Sequence, residues 1–300
     1  MEEVAAHARP AAAEGKVVDY IPALAAVPPG RFALAMVTAD GREAAVGDAD
    51  QPFSIQSVSK LFSLALAMEW LGDTLWERVG REPSGMRFNS LIQLETEEGI
   101  PRNPFINAGA IAVTDALMER RWNFETSFRT QMRLLTGNPA LQYDAAVHRS
   151  ERTHGDLNRA IAYVLKAKGN LRGDPQAVTD SYFRACALAA SARDLARACL
   201  FIAAPGRGWG AAHGAACAEG RHAARLRAIM RSCGLYDQSG EFAYRVGLPG
   251  KSGVGGGIVV ASPTGREGPW AACAWSPPLD RYGNSVAGQV ALEALAARLC

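Results

Sequence analysis

A serine and a lysine three residues apart offer the clearest chemistry in this sequence. Ser57 and Lys60 form an S-x-x-K pattern. On a helix, residues i and i+3 share one face, so the lysine amine can reach the serine hydroxyl. The serine is a weak nucleophile until a base takes its proton, and a lysine is a base only when uncharged, a state that burial favours. The pattern alone is short, and a solvated lysine on a surface helix is the alternative.

A second motif makes the first more specific. Lys251-Ser252-Gly253 precedes a glycine-rich stretch and a predicted strand at Ile258–Ala261. Serine hydrolases of the β-lactamase and penicillin-binding type combine an S-x-x-K helix start with a K-[ST]-G strand across the cleft. Both motifs occur here in that order, with helices between them. We therefore expect the backbone N–H groups of Val254 and Ser57 to hold a developing oxyanion.

Other patterns in the chain resemble known motifs but lack the residues or the structural context that those motifs require. The Gly-Lys-Ser at 250–252 lacks the first glycine of a P-loop and leads into a predicted strand rather than a helix. His148, Glu151 and His154 have a spacing that suggests metal ligands, but the two arginines between them disfavour a cation. No G-x-S-x-G elbow is present. We expect no metal and no cofactor.

Composition excludes several classes of function. Hydrophobic residues make up 48% and charged residues 21% of the 300, and the net charge is +2. This balance gives no footprint for nucleic acid or an anionic membrane. The first ten residues lack the apolar core of a signal peptide, and no C-x-x-C pair occurs, so we expect reduced cysteines and a cytoplasmic protein.

The predicted elements suggest two parts. Asp40-Gly41 predicts a hairpin between Arg31–Thr38 and Ala44–Val46. The middle of the chain has helical periodicity, and strand signals return near the end. The predicted class is α/β (α+β), with an antiparallel sheet flanked by helices. The predicted domains are a discontinuous sheet domain (1–62 and 221–300) and an inserted all-helical domain (63–220), with the site where they meet.

Some expectations concern single elements. We predict a helix holding Val17–Leu24, strands at Phe242–Val246 and Trp270–Trp275, and a final helix at about Val286–Leu299. Ser54 is the predicted N-cap of the helix that carries Lys60. The segment from Pro205 to Gly220, rich in glycine and alanine, is predicted to be a loop.

Longer blocks of sequence resemble the glutaminase family. In family order they cover nearly the whole chain, and they are Phe53-Ser54-Ile55-Gln56-Ser57-Val58-Ser59-Lys60, Glu82-Pro83-Ser84-Gly85, Arg87-Phe88-Asn89, Asn107-Ala108-Gly109-Ala110-Ile111, Ser150-Glu151-Arg152 followed by Asn158, Cys233-Gly234-Leu235-Tyr236-Asp237, Lys251-Ser252-Gly253-Val254 and Trp275-Ser276-Pro277-Pro278-Leu279-Asp280. The resemblance departs at the loop Ala203–Gly220 and at Gly250, where a small alanine is more usual.

The resemblance implies a β-lactamase-like fold, no metal, and hydrolysis of L-glutamine to L-glutamate and ammonia. It implies that Ser57 is the nucleophile, Lys60 the base and Tyr236 the group that assists proton transfer to the leaving ammonia. It also implies a substrate pocket, whose residues are Tyr20, Gln56, Ser57, Asn107, Glu151, Asn158, Tyr182, Tyr236 and Val254. Glu151 suits the substrate ammonium group, and the neutral side chains suit its carboxylate and amide. A homotetramer or homodimer is implied as well.

Two other functions remain open at this point. A β-lactam- or peptide-directed serine hydrolase would use the same two motifs, although it would normally act outside the cytoplasm. A non-catalytic amino-acid sensor would keep the pocket without turning over its ligand. Turnover of a cephalosporin, or glutamine binding without ammonia release, would distinguish these from a glutaminase.

Overall fold

The computed structural model describes residues 1–86, 88–120, 123–205, 220–266 and 268–300. Its main sheet is antiparallel and has five strands in the order β2-β1-β8-β7-β6. A second sheet has three short antiparallel strands in the order β3-β5-β4. The strands are β1 Ala33–Thr38, β2 Glu43–Gly47, β3 Phe53–Ser54, β4 Gln142–Tyr143, β5 Leu188–Ala190, β6 Gly250–Ser252, β7 Gly257–Ser262 and β8 Trp270–Trp275.

The first and last parts of the chain build the main sheet together. Strand β1 pairs with β2 through the predicted hairpin, whose Gly41 has a φ of 93°, and with β8 from the other end of the chain. Strands β7 and β8 are buried at every position. Helices therefore cover both faces of the central strands, because such continuously apolar strands are stable only when both faces are packed.

The α-helices of the described residues surround this sheet and fill the middle of the chain. Their bounds are Glu2–Ala8, Pro22–Ala25, Ser59–Leu71, Leu91–Thr96, Asn107–Arg120, Phe124–Thr136, Ala145–His154, Asp156–Ala167, Pro175–Cys186, Ala192–Ala198, Leu200–Ala203, Gly220–Cys233, Ser239–Val246 and Val286–Leu299. Short 3₁₀ turns lie at Arg9–Glu14, Gln56–Val58, Gly72–Glu77 and Tyr236–Gln238. No described helix is long and apolar enough to cross a bilayer.

One face of the sheet shares its core with the central helix. Val259, Cys273 and Trp275 belong to the same buried cluster as Phe62 and Leu66 of the helix Ser59–Leu71. The opposite face packs against the final helix, where Leu292 and Ile258 are fully buried in a second cluster. The central helix is buried from Ser59 to Met68, so its polar side chains must find partners inside the protein.

Three local predictions were wrong. Residues 17–21 are not helical, because Lys16 pairs with Leu279 in an isolated bridge and the helix begins only at Pro22. The predicted strand Phe242–Val246 lies in a helix, where Phe242 and Val246 share the buried face at i, i+4 spacing. Ser54 is not an N-cap, because it lies in β3 and donates its hydroxyl proton to the Cys186 carbonyl.

Other predictions were confirmed, and one concerns residues outside the described ranges. The final helix, Val286–Leu299, and strand β8 have the predicted bounds. Cys186, Cys199, Cys233 and Cys273 are buried free thiols, whereas Cys300 is exposed. The predicted loop falls largely on residues 206–219, and Cys217 with it, outside the described residues. The division into domains stays a prediction.

Candidate active site

The candidate nucleophile lies on a tight turn between a strand and a helix. Strand β3 ends at Ser54, a 3₁₀ turn holds Gln56–Val58, and the α-helix continues from Ser59. Gln56 has a φ of 48°, in the left-handed region that costs a non-glycine residue about 1 kcal/mol. Its side-chain amide donates to Ser54 Oγ at 2.9 Å and so helps to hold this conformation. The turn projects Ser57 into a cavity.

Lys60 lies directly below this turn and is almost wholly buried. Only 2% of the residue is exposed. Its Nζ donates to the Phe105 carbonyl at 3.0 Å and to Asn107 Oδ1 at 2.7 Å. Burial lowers the pKa of this amine from 10.5 to about 8, against the smaller opposing effects of Cys186 and Glu151. The uncharged amine is thus accessible near neutral pH.

The end of β6 packs directly on the nucleophile turn. A β-carbon added at Gly253 would lie 2.7 Å from the Ile55 carbonyl oxygen and 3.1 Å from Ser57 N. Glycine alone permits so close an approach of two backbones. Val254, the next residue, lines the cavity beside Ser57. The predicted approach of the two motifs is therefore present in the structure.

Tyr236 and Lys251 form the wall behind Ser57. Burial raises the pKa of the Tyr236 phenol, and the hydroxyls of Ser57 and Ser252 partly offset the rise. Lys251 Nζ lies 5.0 Å from the centre of the Tyr236 ring and donates to the Gly234 carbonyl at 3.1 Å. Burial, followed by the charge of Lys60, lowers the pKa of Lys251 well below its usual range. Because its own pKa is raised, the Tyr236 phenol keeps its proton at neutral pH.

A cavity of about 320 Å³ opens above Ser57. Eight of the ten residues predicted for the site line it, and they are Tyr20, Gln56, Ser57, Asn107, Glu151, Asn158, Tyr182 and Val254. Lys60 and Tyr236 lie behind this lining: Lys60 donates to Asn107, and the Ser57 hydroxyl lowers the pKa of the Tyr236 phenol. Residues from across the chain thus meet at one concave site, the usual form of a small-molecule pocket.

Glu151 is the acidic group of the cavity. It is 7% exposed, on the helix Ala145–His154 that Asp144 caps through two backbone N–H groups. Burial raises the pKa of its carboxyl from 4.5 to about 7, and the Gln56 amide and Lys60 oppose that rise. A bound cation would restore the ionised form, since an opposite charge nearby lowers a carboxyl pKa.

Asn107 links the base to the rest of the cavity. Its Oδ1 accepts from Lys60 and from the Tyr182 hydroxyl at 3.5 Å, and its Nδ2 donates to Asn158 Oδ1 at 2.8 Å. Tyr182 also presents its ring to Lys60 Nζ at 5.8 Å from the ring centre. The amide orientation is therefore fixed by its neighbours, and the carbonyl end faces the lysine.

The histidines near Glu151 are engaged elsewhere. His148 Nε2 lies 3.1 Å from Asp180, and His154 Nδ1 lies 2.9 Å from the Ser150 carbonyl oxygen. Across the described residues, no group of three or more His, Cys, Asp or Glu side chains is arranged to hold a metal ion.

The sequence model of the glutaminase family matches residues 15–300 of this chain. The chain belongs to the glutaminase family. A glutaminase of Paraburkholderia phytofirmans (strain PsJN) is 50% identical over 293 residues, which cover 98% of this chain and 94% of that protein. A glutaminase of Aeromonas salmonicida (strain A449) is 49% identical over 300 residues, which cover 100% and 96%.

Solved structures of glutaminases have the same fold. The probable glutaminase ybaS has a TM-score of 0.87 at 37% identity, covering 99% of this chain and 96% of that one. A probable glutaminase from Bacillus subtilis, complexed with 6-diazo-5-oxo-L-norleucine, has a TM-score of 0.85 at 29% identity, covering 98% and 92%. The family resemblance, the β-lactamase-like fold and the enzyme class, an amidohydrolase acting on linear amides, are thus confirmed.

Several cavity residues were missed by the sequence analysis. They are Ile21, Phe88, Asn89, His154, Gly155 and Leu157. Phe88 and Asn89 stand in a block that resembles the glutaminase family, so that block was the available signal. His154 follows Glu151 by three residues on one helix and therefore shares its face. The others are set by packing and left no signal in the sequence.

Proposed function

We propose that the protein hydrolyses L-glutamine to L-glutamate and ammonia in two acyl-transfer steps, with Ser57 as nucleophile and Lys60 as base. The observation that carries this proposal is the buried Lys60 amine, with a lowered pKa of about 8, three residues after a serine that lines a cavity. Ser57 attacks the carbon of the side-chain amide and ammonia leaves. Water then hydrolyses the glutamyl ester.

The hydrogen bonds of Lys60 support its role as base. A neutral amine has two N–H bonds and one lone pair, and Lys60 has two oxygen acceptors, the Phe105 carbonyl and Asn107 Oδ1. With both N–H groups donated to these oxygens, the lone pair remains for the Ser57 proton. Both acceptors are uncharged, so they orient the amine without raising its pKa as a carboxylate would.

Two backbone N–H groups are available for the developing negative charge. Ser57 lies in the first turn of a helical segment, where N–H groups have no acceptor within the helix. Val254 follows Gly253, where an added β-carbon would lie 3.1 Å from Ser57 N. We assign the N–H groups of Ser57 and Val254 to the oxyanion, because donors fixed in advance require no reorganisation during the reaction.

The substrate zwitterion fits the chemistry of the lining. Glu151 pairs with the α-ammonium group, and this pairing offsets the cost of ionising a buried carboxyl. Tyr20, Asn158 and Tyr182 supply neutral groups for the carboxylate and the amide. The Bacillus relative complexed with 6-diazo-5-oxo-L-norleucine, an amino acid of glutamine size, supports a ligand of this shape.

We assign to Tyr236 the role of proton donor to the leaving group. Its raised pKa keeps it protonated, and the Ser57 hydroxyl lies close to it. It can therefore give a proton to departing ammonia and regain one from the water that hydrolyses the glutamyl ester, while Lys60 returns its proton to Ser57. The cytoplasmic location and the homotetrameric or homodimeric assembly implied by the resemblance stay predictions, which fractionation and light scattering would test.

The decisive experiment measures ammonia released from L-glutamine and from L-asparagine side by side. We expect turnover of glutamine by the wild type and none above background for Ser57→Ala, with the same circular dichroism. A labelled glutamyl ester trapped on Ser57 by acid quench would identify the intermediate. Substantial ammonia release by Ser57→Ala would exclude Ser57 as the nucleophile.

A further inference from the structure

A second and larger cavity adjoins the candidate active site. Its volume is about 540 Å³, and it shares Tyr20, Phe88 and Val254 with the first cavity. These three side chains therefore form the boundary between two neighbouring compartments. Tyr20 is 56% exposed and stands at the rim of both. Hydrolysis of free glutamine, a small molecule, does not need this additional space.

The second cavity borders the leaving-group side of the site. Gly283 lines it, and a β-carbon there would lie 3.5 Å from both the Tyr236 ring and Val254. The Phe88 ring, which lines both cavities, lies 4.7 Å from the Tyr236 ring between centroids. Glu151, assigned to the substrate ammonium, belongs to the lining of the first cavity. A substituent on the amide nitrogen would accordingly extend toward the second cavity.

We propose that this second cavity is a leaving-group subsite and that the protein also cleaves γ-glutamyl amides of amino acids. The inference rests on the proposed function of Ser57. The Ser57 oxygen bonds to the side-chain carbonyl carbon, the C–N bond breaks, and the nitrogen leaves as the amine of an amino acid with a proton from Tyr236. Water then hydrolyses the glutamyl ester to glutamate and gives a proton to the Tyr236 phenolate, while Lys60 returns to Ser57 the proton that it took during the attack.

The subsite has cationic groups for a carboxylate. Arg281 lies on the turn that ends at Gly283, and its guanidinium stacks at 4.7 Å on the Tyr282 ring and donates to the Tyr282 hydroxyl at 2.6 Å. Lys16 provides the second cation of the lining. A guanidinium held in this way loses little further freedom when it binds a carboxylate.

The acidic side chains of the second cavity are of two kinds, one hydrogen-bonded within its own turn and the others exposed. Asp280 accepts hydrogen bonds from the Tyr282 and Asn284 backbones and from the Gln289 side chain, so it serves the turn itself. Glu14 and Asp19 are exposed at the cavity. The lining thus carries both signs of charge, and the charge of the substituent is the property to vary.

The test compares substrates that differ only in the amide substituent. Wild-type protein is assayed for glutamate release from L-glutamine, γ-glutamylglycine, γ-glutamylmethylamide and the γ-glutamyl amide of ethylenediamine, whose substituents are absent, anionic, neutral and cationic. We expect γ-glutamylglycine to be cleaved faster than the neutral and cationic amides. Cleavage of glutamine but not of γ-glutamylglycine would overturn the inference alone. Failure with every substrate would overturn the proposed function as well.

Variants locate the subsite. The double variant Lys16→Ala, Arg281→Ala is expected to lower kcat/KM for γ-glutamylglycine by about fivefold or more, as loss of a partly exposed ion pair implies, and to leave glutamine turnover unchanged. Val18→Trp, which fills the cavity, should have the same selective effect. Lys168→Ala, Arg298→Ala is the matched control. Equal losses for both substrates, or none for γ-glutamylglycine, would contradict the assignment.

Discussion

Asn107 Oδ1 accepts a hydrogen bond from Lys60 Nζ at 2.7 Å, so the start of one helix orients a base on another, 47 residues away in sequence. The contact is made to the carbonyl end of an amide. A neutral acceptor orients the amine but leaves its pKa under the control of burial, which lowers it to about 8. The proposed transfer of the Ser57 proton to Lys60 depends on this acceptor being neutral rather than a carboxylate.

Replacing that amide by a carboxylate tests the relationship directly. In Asn107→Asp the new negative charge would favour the protonated Lys60 amine and raise its pKa by one unit or more, about 1.4 kcal/mol or more. We expect the rising limb of kcat to move to higher pH by that amount, with turnover near neutral pH falling about tenfold. The measurement is ammonia release as a function of pH.

Asn123→Asp is the control for this variant. Asn123 caps the helix Phe124–Thr136 at its exposed N-terminus, where aspartate caps equally well. Its pH profile should match that of the wild type. An unshifted profile for Asn107→Asp would mean that Lys60 is not the titrating base.

The pH dependence of wild-type activity follows from the raised pKa of Glu151 and the lowered pKa of Lys60. In the proposed mechanism the free enzyme needs Glu151 ionised, with a pKa of about 7, and Lys60 neutral, with a pKa of about 8. Both conditions are lost as pH falls, so log kcat/KM should steepen toward a slope of two below about pH 7. Once the substrate ammonium is bound, the pKa of Glu151 falls, and kcat should retain a slope of one. A kcat/KM that does not vary between acid and alkaline pH would contradict both assignments.

Glu151 should lower the stability of the fold at neutral pH. Its folded-state pKa, about 7, is above the usual 4.5, so the folded state binds the proton more tightly. Stability contributed by the protonated form is therefore present below about pH 4.5 and is lost as pH rises through about 7. Glu151→Gln removes this dependence. We expect its free energy of unfolding near pH 8 to exceed that of the wild type by about 1–3 kcal/mol.

Urea denaturation at acid and alkaline pH measures that difference, and glutamine kinetics complete the test. Loss of the partner for the ammonium group should raise KM by about 100-fold or more in Glu151→Gln. Glu95→Gln, at an exposed position, should change neither property. If Glu151→Gln were less stable than the wild type at alkaline pH, the carboxylate would be a stabilising group rather than a binding group.

Gly253 tests the contact between the two motifs. Its β-carbon in Gly253→Ala would lie 2.7 Å from the Ile55 carbonyl oxygen, so the strand end must move away from the Ser57 turn. If the Val254 N–H binds the oxyanion as proposed, its displacement should lower kcat by about 100-fold, the usual effect of losing one oxyanion donor, with little change in KM. Gly240→Ala, in a helix with open space around it, should leave kcat unchanged.

Part of the site could be predicted from sequence because its motifs are local. The S-x-x-K spacing predicted that Ser57 and Lys60 would lie together, and the K-S-G stretch predicted the strand that faces them. Glu151 and Asn158 were found only through resemblance to glutaminases, since a lone glutamate or asparagine carries no local signal. Phe242 and Val246 were misassigned because β-branched and aromatic residues suggest a strand, whereas their spacing of four fits the helix that packs there.

By itself, the sequence determined the family, the paired motifs and the elements whose periodicity is strong, such as the final helix and strand β8. Only the tertiary structure decided that Lys60 is buried with two neutral acceptors, that Glu151 faces the same cavity, and that a second cavity lies beside Tyr236. The reason is physical. Burial and the identity of distant neighbours set the pKa values and the shape of a site, and both arise from packing between segments far apart in the chain.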